Sequence, residues 1–203
     1  MTGGHRHFAP ERVVTWLAMA GFMGTGKSRI GWELSRRLQL TFIDTDRVIE
    51  RVSCMRIPDL FELYGEGVFR DYEAEVVRRS VRLDEVVIST GGGTVVRPEN
   101  RAVLRARGPV VVLTASPETI FRRTRRNKRP LLEHADPLKR IGELMAARAQ
   151  AYDEVASFKV STDGRPSAEV VEEIVERLQD WKREQDARLA ADAPTKLHED
   201  GDA

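Results

Sequence analysis

The sequence predicts an α/β protein in which crossover helices connect the strands of a parallel β-sheet. Five short apolar runs recur along the chain, and longer segments with helical periodicity separate most of them. Strands that alternate with helices form parallel sheets, because each crossover returns the chain to the same end of the sheet. With 203 residues the chain suits one domain with a sizeable core. The predicted strands are 13–20, 40–43, 85–90, 109–114 and 158–161.

The first predicted strand leads directly into a glycine-rich segment. Residues 21–28 read GFMGTGKS and match the phosphate-binding pattern G-x-x-x-x-G-K-[ST] at every required position. Apolar residues spaced four apart follow this segment, which predicts a helix: Ile30, Leu34 and Leu38. Glycines let consecutive N–H groups converge on one anion, and the helix N-terminus adds the positive end of its dipole. Lys27 is therefore predicted to reach the β- and γ-phosphates of a nucleoside triphosphate, and Ser28 to hold Mg²⁺; the alternative is a glycine-rich turn that matches by chance.

Two aspartates follow the second predicted strand, in a segment that reads FIDTD. Ligands of open α/β sheets bind beyond the carboxyl ends of strands, which places Asp44 and Asp46 beside the phosphate-binding loop. Residues two apart on an extended chain point to one side, so both carboxylates should face the triphosphate. We expect one to orient Mg²⁺ and the other to accept a proton from an alcohol nucleophile. The alternative is that Asp46 only caps the helix that begins at Arg47.

The third predicted strand runs into three consecutive glycines, Gly91, Gly92 and Gly93. Such a run lets a ligand approach backbone N–H groups closely, although a plain flexible turn is the alternative. Many proteins with this phosphate-binding loop carry a metal-binding aspartate after this strand. The sequence has none here, so Mg²⁺ is expected to depend on Ser28 and the Asp44 region.

Two arginines lie in segments with helical periodicity. Arg70 lies four residues after Glu66 and three before Glu73, which is the spacing of ion pairs on a helix surface. Arg148 lies in a helix that an N-cap aspartate and a first-turn proline should begin, at 136–137. Taken singly, each arginine is as well explained by a surface position as by anion binding.

A basic cluster at 122–129 reads RRTRRNKR and precedes a Pro-Leu-Leu segment at 130–132. Six cations in eight residues are typical of a solvated face or a nucleic-acid patch. In a phosphate-loop kinase the same cluster can form a lid, whose arginine stabilises charge on the transferring phosphoryl group. Because no aromatic residue interrupts the cluster, a platform for single-stranded nucleic acid is poorly supported.

The composition bounds the remaining classes of function. With 33 basic and 32 acidic residues the net charge is +1, so no global field favours nucleic acid or a membrane. A single cysteine, Cys54, excludes an internal disulfide framework and suits a reducing cytosol. The longest apolar run is too short to span a bilayer. We expect a disordered leader without a signal peptide at 1–12, one domain at 13–185, and a disordered acidic tail at 186–203.

These segments, in this order, resemble those of shikimate kinases, which are small phosphate-loop (P-loop) kinases. The resemblance covers roughly residues 13–180 and includes substrate-binding segments as well as the nucleotide loop. It implies a three-layer αβα P-loop kinase fold with a five-stranded parallel sheet and a mobile lid at about 122–136.

The resemblance also implies a division of the site residues among nucleotide, metal and substrate. The implied ATP-binding residues are Gly24, Thr25, Gly26, Lys27, Ser28, Arg29, Arg123, Arg129 and Arg165. The implied metal ligands are Ser28 and Asp44. The implied substrate-binding residues are Asp46, Arg70, Gly91, Gly92, Gly93 and Arg148, and the two arginines match those that grip the substrate carboxylate. The implied catalytic residues are Lys27, Asp46 and the lid residue Arg129.

The activity that the resemblance implies is phosphorylation of the 3-hydroxyl of shikimate by ATP, with Mg²⁺ as cofactor. A cytoplasmic monomer without nucleic-acid or membrane partners is expected. Two other functions stay open on the sequence: a kinase of the same fold that acts on gluconate or a nucleotide, and a non-enzymatic nucleotide-binding regulator. The first is disfavoured because the two arginines supply a carboxylate clamp. The second is disfavoured because no required site residue is replaced.

Overall fold

A computed structural model describes residues 13–125, 132 and 135–191 of the chain. Within these residues five strands and seven α-helices alternate. The strands are Trp16–Gly21 (β1), Thr41–Asp44 (β2), Val86–Ser89 (β3), Val110–Thr114 (β4) and Phe158–Ser161 (β5). The helices are Lys27–Leu38 (α1), Thr45–Ser53 (α2), Ile57–Ser80 (α3), Pro98–Arg107 (α4), Pro117–Thr124 (α5), Pro137–Val155 (α6) and Ser167–Ala191 (α7). A 3₁₀ helix, Thr94–Val96, follows β3.

The strands form a single parallel sheet in the order β2-β3-β1-β4-β5. β1 lies at the centre, and its residue Met19 pairs in register with Ser89 of β3. Ser89 also pairs with Asp44, the last residue of β2. The segments that follow β1, β2 and β3 therefore leave the sheet side by side at its carboxyl edge, where open α/β sheets bind their ligands.

Helices cover both faces of the sheet. The side chains of β1 point alternately to the two faces and so pack with different helices. Leu17 and Met19 pack with α1 and α7, whereas Trp16, Ala18 and Ala20 pack with α3, α4 and α6. All six residues of β1 are buried, as expected for a central strand of a parallel sheet. The predicted three-layer αβα fold with a five-stranded parallel sheet is confirmed.

Helix α3 is interrupted at Gly65, whose φ of 79° and ψ of 174° lie outside the helical region. Glycine adopts this left-handed φ without the steric cost that a Cβ atom would bring. Leu60 before the interruption and Phe69 after it pack in one apolar cluster with Ile49 of α2. The second part of α3 carries Arg70 toward the carboxyl edge of the sheet, where Gly93 lies against its guanidinium group.

The predicted ends of the domain are in part outside the described residues and in part wrong. The leader at 1–12, residues 192–203 of the tail, and residues 126–131, 133 and 134 of the lid lie outside them. The tail boundary at Asp186 is wrong, because α7 continues through Ala191. The apolar stripe of α7 ends near Trp181, but good helix formers such as Ala and Arg follow and extend the helix without burial.

The start of α6 and the length of the apolar segments can both be compared with the sequence predictions. Asp136 is the N-cap of α6, since its side chain accepts a hydrogen bond from the backbone N–H of Lys139 at 3.0 Å. This confirms the predicted start of the helix that carries Arg148. In the part of the chain that the structure describes, no helix is both long enough and apolar enough to cross a bilayer.

Candidate active site

A cavity of about 480 Å³ opens at the carboxyl edge of β1, β2 and β3. Three segments that are far apart in the sequence meet around it, as the strand order predicts. Its lining includes loop residues Gly24, Gly26, Lys27, Ser28 and Arg29, together with Asp44, Asp46, Arg70, Gly91, Gly92 and Gly93. Most of the residues predicted to bind nucleotide, metal and substrate therefore share one cavity.

The phosphate-binding loop joins β1 to α1 with the geometry that its sequence predicts. Gly24 has a φ of +80°, and a Cβ atom there would lie 2.8 Å from Thr124 of α5. The Lys27 side chain is buried and folds back over the loop, where Nζ donates to the carbonyl oxygens of Gly21 at 2.7 Å and Phe22 at 3.0 Å. An ammonium group at the centre of a loop that begins a helix is suited to receive phosphate oxygens.

Ser28 and Asp44 form an oxygen-rich pair at one side of the cavity. The Ser28 hydroxyl donates to Asp44 Oδ2 at 2.6 Å. Asp44 Oδ1 accepts the backbone N–H of Asp46 at 3.1 Å, so Asp44 is the N-cap of α2. A hydroxyl next to a carboxylate fits the preference of Mg²⁺ for hard oxygen donors. Among the described residues, no group of three or more acidic, His or Cys side chains is arranged to hold a metal.

Asp46 lies in the first turn of α2, and this corrects two expectations about it. The chain is not extended from 44 to 46, because β2 ends at Asp44 and α2 begins at Thr45. Asp46 is also not the cap of α2, since Asp44 has that role. Its carboxylate faces the cavity wall at Gly91, where an added Cβ atom would lie 2.7 Å from Asp46 Oδ1. Gly91 is held there by its N–H, which donates to the Thr45 hydroxyl at 3.0 Å.

A Cβ atom added at any glycine of the triplet, residues 91–93, would lie closer than 3.0 Å to a neighbouring atom. A Cβ atom at Gly92 would lie 2.9 Å from the backbone nitrogen of Met23 in the phosphate-binding loop. A Cβ atom at Gly93 would lie 2.7 Å from Cζ of Arg70. The triplet is therefore a wall between the loop and α3 rather than a plain flexible turn.

Arg70 is buried in the cavity wall, with only 9 % of its surface exposed. Its Nη2 bonds Glu66 Oε1 at 2.7 Å, and its Nη1 bonds Glu73 Oε2. Burial disfavours the charged guanidinium, but Glu73 and Glu66 outweigh burial and raise the pKa of Arg70 above its ordinary value. Arg70 is therefore a fixed cation beside the cavity, and the surface interpretation is wrong.

Glu73 is a site residue that sequence reasoning assigned to the surface. It is only 1 % exposed, and its Oε1 accepts the Thr94 hydroxyl at 2.7 Å. Asn100 in turn donates its side-chain amide to the Thr94 carbonyl at 2.9 Å. The chain Asn100–Thr94–Glu73 therefore fixes the carboxylate that holds Arg70. The spacing of Arg70 and Glu73 was a usable signal, but it could not distinguish a buried pair from an exposed one.

Arg148 is also buried, at 8 % exposure, so its surface interpretation is wrong as well. It projects from α6 with its guanidinium 5.6 Å from the ring centroid of Phe22 in the phosphate-binding loop. Its Nη1 donates to the Gly92 carbonyl at 3.3 Å. Tyr152, one turn later on α6, donates its hydroxyl to the same carbonyl at 2.6 Å. Two buried arginines from different helices thus approach the glycine triplet, Arg148 at Gly92 and Arg70 at Gly93.

Four arginines predicted to bind ATP differ in where they lie and in what they contact. Arg123 joins the phosphate-binding loop to the end of β5, because it donates to the Gly24 carbonyl at 3.2 Å and to the Thr162 carbonyl at 2.8 Å. Arg165 bonds Glu173 of α7 at 2.5 Å, and the exposed Arg29 bonds Glu33 at 3.0 Å. Arg129 lies outside the described residues. The binding roles of all four stay predictions.

Comparison with known proteins identifies the family. A family model described as shikimate kinase matches residues 23–179. The chain belongs to the shikimate kinase family. It is 56 % identical over 180 residues to a shikimate kinase of Deinococcus radiodurans, which covers 89 % of this chain and 91 % of that protein. A shikimate kinase of Thermus thermophilus is 53 % identical over 173 residues, with 84 % and 92 % covered.

The solved structures agree with the sequence relatives. The structure of a shikimate kinase from Acinetobacter baumannii in complex with shikimate matches with a TM-score of 0.81 and 32 % identity. The match covers 83 % of this chain and 95 % of that shikimate kinase. The predicted resemblance to shikimate kinases and the predicted P-loop kinase fold are confirmed.

Proposed function

We propose that this shikimate kinase transfers the γ-phosphoryl group of ATP to the 3-hydroxyl of shikimate, giving shikimate 3-phosphate and ADP. The observation that carries this proposal is the single cavity in which a phosphate-binding loop faces Asp46 and Arg70, with Arg148 beside its glycine wall. One side of the cavity is suited to a triphosphate. The other side offers cations for a carboxylate and an acidic group for a hydroxyl.

On the nucleotide side, Lys27 is the residue that meets the β- and γ-phosphates. Its ammonium group now rests on two loop carbonyls, and phosphate oxygens are stronger partners for a cation than neutral carbonyls are. Arg123 and Arg165 flank the adenine region, and Gly24 to Arg29 enclose the phosphates. Because phosphoryl transfer depends on positioning and charge stabilisation, these contacts contribute most of the catalysis on this side.

Ser28 and Asp44 are the residues that would hold Mg²⁺. Their adjacent hydroxyl and carboxylate oxygens match its donor preference. An ion held by these two residues would supply positive charge against the charge that develops during transfer. Asp44 has a second task, since its other carboxylate oxygen caps α2 and so fixes the position of Asp46.

On the substrate side, Arg70 and Arg148 bind the shikimate carboxylate, and Asp46 contacts the attacking hydroxyl, either to orient it or to take up its proton. Guanidinium groups suit this role because they are planar and always charged. Gly91, Gly92 and Gly93 form the wall of the cavity beside the substrate ring. Arg129, from the lid, stabilises charge on the transferring group and helps to exclude water.

The test of this function is ADP release by the purified protein with MgATP and one candidate acceptor at a time. We expect shikimate to raise ADP formation far above the basal ATPase rate, because its ring holds a carboxylate and a hydroxyl at a fixed separation, so that the arginines and Asp46 can engage both at once. Gluconate and nucleoside monophosphates should leave the basal rate unchanged. If gluconate stimulates ADP release as much as shikimate does, the assignment of shikimate as the substrate is wrong. If no acceptor stimulates ADP release, the result favours a nucleotide-binding regulator.

We also propose that the enzyme acts in the cytoplasm as a monomer, without nucleic-acid or membrane partners. The net charge of +1 offers no general attraction for polyanions. The single cysteine, Cys54, is exposed and suits a reducing compartment.

A further inference from the structure

Tyr152 lies one helical turn after Arg148 on α6, and both side chains donate to the carbonyl oxygen of Gly92. We propose that Tyr152 is a positioning residue for the substrate carboxylate, because its phenol occupies this carbonyl and leaves the Arg148 guanidinium available to the substrate. The proposal rests on the proposed function of Arg148. It assigns to a buried tyrosine a role that the cavity lining alone does not reveal.

The two hydrogen bonds to Gly92 are unequal. The Tyr152 hydroxyl donates at 2.6 Å, whereas Arg148 Nη1 donates at 3.3 Å, beyond the usual N–H···O range. The carbonyl therefore depends mainly on the neutral donor. Since a guanidinium has five N–H donors in a planar fork, the long contact uses little of the binding capacity of Arg148.

Gly92 is packed closely against the phosphate-binding loop. A side chain there would come within 2.9 Å of the Met23 nitrogen. Arg148 in turn lies against the ring of Phe22, in the same loop. The glycine triplet, the phosphate-binding loop and Arg148 therefore pack against one another. The hydrogen bond from Tyr152 joins this group to α6 at Gly92.

The phenol is suited to act as a permanent donor. Burial raises the pKa of Tyr152 to about 12, although the nearby Arg148 guanidinium lowers it in part. The hydroxyl therefore keeps its proton at neutral pH. Without this donor, the buried carbonyl would rely on Arg148, and a charged donor would be drawn away from an incoming carboxylate.

The test begins with Tyr152→Phe, which removes one oxygen and keeps the buried ring in its apolar cluster. We expect the KM for shikimate to rise about three- to tenfold, as for loss of one buried hydrogen bond. The kcat and the KM for MgATP should stay within about twofold of wild type. Tyr64→Phe is the matched control, because it removes the same oxygen from a side chain that is 55 % exposed, and it should leave all three constants unchanged.

A double-mutant cycle with Arg148→Lys identifies the route by which the phenol acts. If Tyr152 acts through the Arg148 fork, Tyr152→Phe should change the KM for shikimate by less than about twofold when residue 148 is already lysine. An equal rise in both backgrounds would overturn the proposal. So would a fall in kcat or a rise in the KM for MgATP of the same size, since either would indicate a structural role.

Three measurements distinguish an error in the Tyr152 proposal from an error in the proposed function. If wild type shows no shikimate-dependent ADP release, the proposed function itself is wrong, and the Tyr152 proposal is overturned with it. If Arg148→Lys keeps the wild-type KM for shikimate, the role of Arg148 is wrong and Tyr152 has nothing to position. If both hold and Tyr152→Phe behaves as wild type, only the Tyr152 proposal is overturned.

Discussion

Asp46→Asn is expected to lower the turnover of shikimate by about a hundredfold or more, with MgATP affinity close to wild type. Asparagine keeps the size of the side chain but loses the charge and the ability to take up a proton, and such groups contribute about 10²- to 10⁴-fold to catalysis. The α2 helix should be unaffected, because its cap is Asp44. The measurement is steady-state ADP release over a range of shikimate and MgATP concentrations.

Asp44→Asn is the matched control for this prediction. Asparagine is as good an N-cap as aspartate, so the start of α2 should survive the change. The carboxylate beside Ser28 is lost, and the variant should therefore need more Mg²⁺ to reach its full rate. The two substitutions should therefore have different effects. Asp46→Asn should lower turnover, whereas Asp44→Asn should raise the Mg²⁺ concentration that the enzyme requires.

The pH profile separates two possible tasks of Asp46. If its carboxylate takes the proton, the rate falls as Asp46 becomes protonated, and the asparagine variant lacks that limb. If it only orients the hydroxyl, the proton leaves late in a loose transition state and the limb is weak in both proteins. Near-normal turnover in Asp46→Asn would remove Asp46 from the catalytic machinery.

The position of these two aspartates was predictable, but its geometry was not. A strand that ends in FIDTD places both residues at the carboxyl edge of the sheet, and the structure does place them there. The prediction assumed an extended chain, whereas Asp44 turns the backbone into α2 by capping it. A short polar side chain can end a strand and begin a helix at the same residue, and alternation rules do not capture this.

The general fold was the most predictable part, because it depends on periodicity. The β5 strand lies at 158–161, as its apolar run predicts, and the P-loop motif lies between β1 and α1. The environment of single charged residues was less predictable. Arg70 and Glu73 have the spacing of an exposed pair, yet both are buried because the glycine triplet packs directly against them. Only tertiary packing separates these two cases.

Tyr152 and the end of α7 show the same limit. The helical spacing of Ile141, Met145 and Tyr152 predicts that Tyr152 lies on the apolar face of α6, and it does pack in the core. Its hydroxyl reaches a carbonyl 60 residues away in the sequence, which no local pattern encodes. In α7 the apolar stripe ends near Trp181, and a disordered tail is predicted from residue 186. The helix nevertheless continues to Ala191, because residues of high helix propensity follow.

Gly93→Ala is expected to raise the KM for shikimate about thirtyfold while the protein stays folded. Gly93 has φ −113° and ψ −3°, which alanine adopts readily, so the change tests space and not backbone strain. The new methyl group would lie 2.6 Å from Nη2 and 2.7 Å from Cζ of Arg70, and it would also overlap Nη1. The far end of the arginine can move aside, but it then leaves both the substrate and the buried carboxylate of Glu73, so the variant should also be less stable than wild type. Losing one charge-assisted contact costs about 2 kcal/mol, which corresponds to this factor.

Gly142→Ala is the matched control, because a Cβ atom at Gly142 in α6 meets nothing within 4 Å. It should keep the wild-type KM and stabilise the helix slightly. For Gly93→Ala, the KM for MgATP should stay near wild type, since the phosphate-binding loop is untouched. In an Arg70→Lys background, the added methyl group should matter less, because the slimmer ammonium no longer fills the space beside Gly93. A wild-type KM for shikimate in Gly93→Ala would mean that Arg70 does not grip the substrate from the position it occupies, and the carboxylate clamp would then have to be sought at Arg148 alone.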